Sequence, residues 1–104
     1  MDEVSGELSR LVVLFRHQHR AWLATAGPGE DLDAGLPEFD RMEETGDRIL
    51  RLPCRSQADI REKIRVVLEF EALRLPLKED AAGDGDMLRI FLLSFSLPAN
   101  ATPA

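Results

Sequence analysis

Apolar positions fall at helical spacing in four stretches of the chain. In the first, Leu8, Leu11, Val12, Phe15, Trp22, Leu23 and Ala26 recur every three or four residues, so they share one helical face. This predicts a helix from about Glu3 to Ala26, ended by GPGED at Gly27 to Asp31, because glycine and proline propagate a helix poorly. A second helix is expected from about Asp33–Pro37 to Leu52, with Phe39, Met42, Ile49 and Leu50 inward. Pro37 suits its first turn, where the missing N–H loses no bond. Gly46 lies on the same inward side. In mid-helix it costs about 1 kcal/mol relative to alanine, and either a close backbone crossing explains it or the glycine is simply uncompensated.

The connector LPCRSQAD, Leu52 to Asp59, reads as a helix stop followed by a helix start. Pro53 closes one helix, and Ser56 with Asp59 three residues later approximates a capping box, with aspartate in place of glutamate. Ile60, Ile64, Val67, Leu68 and Leu75 then form the expected buried face, widened by Val66 and Phe70, with Pro76 as its boundary. KEDAAGDGD, Lys78 to Asp86, is expected to be a flexible polar loop. Met87 to Leu97 is apolar nearly all round, which predicts a buried helix capped by Asp84 or Asp86 and needing cover on most sides. That cover comes either from a four-helix arrangement or from a homodimer, with Met87, Ile90, Phe91, Leu93 and Phe95 as the candidate interface. The expected fold is thus all-α: a three- to four-helix, bundle-like single domain over residues 1–97, open to completion by dimerisation, with 98–104 a disordered tail.

The charge distribution sharpens this picture. Net charge is −6, yet Glu30 to Asp47 holds eight acids against the single base Arg41, which is −7 in that window alone. Immediately afterwards Arg48, Arg51, Arg55, Arg61, Lys63 and Arg65 face only Asp59 and Glu62. Adjacent blocks of opposite sign are mostly solvated faces that pair with each other. The alternative is a partner-binding acidic face formed by Glu38, Asp40, Glu43, Glu44 and Asp47. With 44% hydrophobic and 31% charged residues in a 104-residue chain, a single soluble globular domain is expected. The longest apolar run is about half of a bilayer span, and the acidic start MDEVSGEL is unlike a secretory leader, so the expected location is cytoplasmic. Acidic balance and a lack of tyrosine disfavour direct nucleic-acid binding, while the basic block from Arg48 to Arg65 keeps it open.

Candidate chemistry is sparse. His17 and His19 in RHQHR lie about 200° apart on a helix, so they cannot chelate one metal ion together. His19 does fall within the apolar stripe, and Glu71 holds a similar place in the third helix, which suggests a His19–Glu71 pair across the core. Cys54, the only cysteine, precedes a helix start and neighbours Arg55, a setting that favours a thiolate. No sequence-evident base accompanies it, so packing in the turn is the expectation. Phosphate-loop, dinucleotide-binding and calcium-loop patterns are missing from the sequence, and neither an enzyme nor a cofactor is expected.

From Asp47 to Phe70, DRILRLPCRSQADIREKIRVVLEF resembles small uncharacterised all-helical bacterial proteins of phage or prophage type, through Ile49, Leu50, Pro53, Ser56, Ile60 and Lys63. The resemblance implies a phage-linked helical accessory protein and carries over no functional residue. Two functional expectations follow. The first is a non-catalytic protein-interaction protein that uses the apolar fourth helix and the acidic face. The second is an acidic inhibitor that mimics nucleic acid and occupies a host nuclease or DNA-binding protein.

Overall fold

The computed structural model describes residues 3–81 and 85–96. These form five α-helices: α1 (Gly6–Leu23), α2 (Pro37–Arg51), α3 (Gln57–Glu69), α4 (Glu71–Ala81) and α5 (Asp86–Leu93). No strand occurs among the described residues. The expected all-α class therefore stands, with one helix more than the periodicity predicts. The proposed tail, 98–104, and the candidate cap Asp84 lie outside the described residues; the other candidate cap, Asp86, is instead the first helical residue of α5, behind a left-handed Gly85 that holds the cap position without a side-chain bond.

Local chemistry explains most of the boundaries. The side chain of Ser5 caps α1 by accepting from Leu8 N–H, so this helix starts three residues later than expected. Pro37 occupies the first turn of α2 as predicted, and Glu38 and Asp40 sit beside the positive end of the helix dipole. The hydroxyl of Ser56 caps α3 by accepting from Asp59 N–H at 3.1 Å. The Asp59 carboxylate reaches beyond that cap, accepting from Arg55 N–H at 2.8 Å and from Ser5 N–H at 2.7 Å. One buried carboxylate thus ties the start of α3 to the start of α1.

The long third helix of the periodicity is in fact two helices. Phe70 is extended (φ −112°, ψ 113°) and separates α3 from α4. Its ring packs edge-on against Phe15 at 5.0 Å and against His19 at 5.1 Å, with the Arg16 guanidinium over it at 5.2 Å. Arg74 then donates to the Val67 and Leu68 carbonyls, satisfying acceptors at the end of α3. Pro76 does not bound a helix: it sits inside α4, which continues to Ala81 through part of the expected loop.

The core is built from Leu8, Val12 and Phe15 of α1, Met42, Ile49 and Leu50 of α2, Val66 and Val67 of α3, Leu73 and Leu77 of α4, and Phe91 of α5. Gly46 is buried where α2 meets α1 and α4. A Cβ there would lie 3.0 Å from a Leu73 methyl and 3.2 Å from the Phe15 ring, so side chains of α1 and α4 pack directly over the glycine. The expected face of α3 requires correction. Ile64 is 45% exposed and Leu68 68% exposed, while Asp59 and Lys63 turn inward beside Val66 and Val67.

Candidate functional site

Two features carry unusual chemistry, and the first is Lys63. It is completely buried, and its ammonium donates to the Leu50 and Leu52 carbonyls and, at 2.8 Å, to Ser94 Oγ. The Phe91 and Phe95 rings lie 5.9 and 5.6 Å from its nitrogen. Carbonyls at the end of α2 have no later helical N–H to accept from, so the cation takes that place and also holds α5. Burial lowers the Lys63 pKa from the ordinary lysine value. Every polar contact of this amine is used within the fold, which makes it an architectural group.

Cys54 belongs to the same junction. It is buried, and its N–H donates to the Ser94 carbonyl at 2.8 Å. Burial pushes its thiol up from the ordinary value, with Lys63 pulling it partly back. That is the opposite of what a nucleophilic thiolate needs. LPCRSQAD therefore works as a junction of helix ends.

The second feature is a groove of about 580 Å³ between α1, α2 and α4. Its apolar lining includes Phe15 and Trp22 of α1, Phe39 and Met42 of α2, and Leu73 and Pro76 of α4. Trp22 and Phe39 pack with ring centres 5.0 Å apart, and the indole N–H donates to the Asp33 carbonyl at 3.0 Å, which fixes the incoming loop. Leu23, Leu32 and Leu75 also line the groove while remaining 44%, 41% and 43% exposed. They leave the apolar surface open to solvent.

Carboxylates border this opening: Glu43 and Asp47 from α2, Glu71 and Glu79 from α4. Asp47 pairs with Arg51 at 2.8 Å, whereas Glu43, Glu71 and Glu79 have no ion-pair partner among the described residues. His19 lines the groove as well, packed against Phe15, Trp22 and Phe70, and burial lowers its pKa from the ordinary histidine value. No hydrogen bond joins it to Glu71, which is exposed, so the expected pair across the core does not form. Both residues instead belong to one groove. His17 points elsewhere, beside Ser9, Val13 and Leu14, in keeping with its 200° offset from His19.

The expected acidic face divides into three parts. Glu38 and Asp40 serve the first turn of α2, Glu44 pairs with Arg48 at 3.3 Å, and Glu43 and Asp47 join the groove. Arg65 pairs with Glu62 and Glu69, and Arg16 with Glu69, so these ion pairs lie outside the acidic block, in which Glu44 and Asp47 are the paired acids among the described residues. The expected α5 interface is also divided. Phe91 is buried in the core and stacks edge-on with half-buried Phe95 at 4.8 Å; Met87 and Ile90 are half-buried. Leu93 is 58% exposed, and Leu92, not on the expected list, is 57% exposed. Cover for this helix therefore comes in part from the chain itself.

Sequence reasoning missed the groove as a unit, although Trp22, Phe39, His19 and Glu71 were each singled out. The missing information was the turn at Phe70, which swings Glu71, Leu75 and Glu79 across from α2. No protein-family model, curated protein or solved structure matches the chain.

Proposed function

We propose that the protein is a non-catalytic interaction protein whose groove between α1, α2 and α4 receives a basic segment of a partner protein carrying an apolar anchor. The observation that supports this reading is the combination of an open apolar groove with a carboxylate border. Aromatic and aliphatic surface in a concave site favours an apolar side chain, and desolvated anchors of that kind dominate most interfaces. Glu43, Glu71 and Glu79, unpaired among the described residues, then favour cations beside the anchor and disfavour anionic surfaces or nucleic acid.

The nucleic-acid-mimic alternative has less support. Glu44 and Asp47 each pair with an arginine one turn along α2, so two of the eight carboxylates from Glu30 to Asp47 that would stand in for phosphates are already engaged within the fold.

Site-specific photocrosslinking tests the proposal. A photoreactive residue in place of Leu75 should capture one partner segment in the native host, with lysine or arginine flanking apolar residues. The same residue in place of Leu68, on the outer face of α3, should not capture it. Crosslinking of the same partner predominantly from Leu68 or Leu93 would overturn the assignment of the groove.

A further inference from the structure

The border of the groove is patterned, and the pattern describes the partner more closely. Glu71, Leu75 and Glu79 stand at i, i+4 and i+8 on α4, and all three line the groove. At 1.5 Å per residue, this acid–apolar–acid ridge is about 12 Å long. On the facing wall, Glu43 and Asp47 are also one i, i+4 step apart. Helices pack by setting i±4 ridges into each other's grooves, so a helix laid against α4 meets this row with a row of its own.

Resting on the interaction reading above, we infer that the occupant is an amphipathic helix with cations at i and i+8 and an apolar anchor at i+4. Its cations reach Glu71 and Glu79, and its anchor enters beside Leu75 over Trp22 and Phe39. Arginine suits the two border carboxylates, because its planar guanidinium can meet a carboxylate with two parallel N–H donors.

The groove contains the only tryptophan of the chain, so intrinsic fluorescence reports its occupancy. The probes are alanine-based peptides of about 20 residues, beyond the length at which an isolated helix is marginal, with helicity checked by circular dichroism. One carries Arg, Leu and Arg at i, i+4 and i+8. Its isomer has both arginines moved two residues along, about 200° round the helix, at the same composition and charge. The patterned peptide should change Trp22 emission saturably and bind at least about tenfold more tightly than the isomer, a difference of about 1.4 kcal/mol. The double variant Glu71→Gln, Glu79→Gln, checked for retained helicity by circular dichroism, should lose most of that preference.

Equal binding of the two peptides, or a preference unchanged in the double variant, would overturn the inference. An absence of any Trp22 response would also overturn it. In each case crosslinking from Leu75 still decides separately whether the groove is an interaction site.

Discussion

Replacing Lys63 by methionine tests how the junction of α2, α3 and α5 is held. Methionine keeps much of the side-chain volume but removes the ammonium. The Leu50 and Leu52 carbonyls then lose a donor, and Ser94 Oγ loses its 2.8 Å contact. Bonds to a charged group contribute about 1.5–3 kcal/mol each. Relief of the ammonium's burial offsets part of that loss, leaving a net destabilisation of about 3 kcal/mol, at the lower end for removing one partner of a buried charge. That is a large fraction of the roughly 5–15 kcal/mol available to a domain. Urea denaturation followed by far-UV circular dichroism measures it directly. A Lys63→Met variant within about 0.5 kcal/mol of the parent would refute the reasoning.

The pH dependence supplies an independent check. Burial lowers the Lys63 pKa, so between that lowered value and the ordinary 10.5 the unfolded chain binds more protons than the folded one. Stability attributable to Lys63 therefore rises with pH across that window. Cys54 acts in the opposite direction: its raised pKa makes the folded state retain a proton longer, so its contribution falls above the ordinary 9.0. The chain has no tyrosine to obscure the alkaline range. In a Cys54→Ala background, stability should climb towards pH 10.5, and adding Lys63→Met should flatten the slope. Equal slopes would contradict the assignment.

Three further outcomes are expected. Gly46→Ala should cost about 1 kcal/mol despite the better helix propensity of alanine, because overpacking against Leu73 and Phe15 exceeds the gain; a stabilised variant in urea melts would show the crossing to be loose. Leu68→Glu should change unfolding free energy by less than about 0.5 kcal/mol, since the side chain is 68% exposed, whereas a loss of several kcal/mol would restore it to the core. Cys54 should react with iodoacetamide far more slowly in the folded protein than in denaturant, and fast native alkylation would show that the thiol is accessible and activated.

The inward faces of α1 and α2 were legible because apolar residues mark them plainly, and Gly46, Pro37 and Ser56 act as their local chemistry suggests. Two long-range effects were not legible. Periodicity along Ile60, Ile64 and Leu68 gave a consistent apolar face, yet the buried face is the one with Asp59, Lys63, Val66 and Val67. That row also has three- and four-residue spacing, but its two charges concealed it. Both charged groups are satisfied by backbone atoms distant in sequence, at Ser5 and at Leu50 and Leu52. The turn at Phe70 carries no proline or glycine; it depends on ring packing against α1 and on Arg74. Because that turn creates the α4 wall, the residues of the groove were recognised separately while their convergence was not.

The proposed contact surface is the groove between α1, α2 and α4. It is tested most directly by nuclear magnetic resonance, adding the partner segment identified by crosslinking. The Trp22 indole signal and the Met42 and Leu75 methyl signals should shift saturably together, while those of Val13 and Leu68 stay in place. Shifts confined to Leu68, Leu92 and Leu93, with Trp22 unmoved, would contradict it.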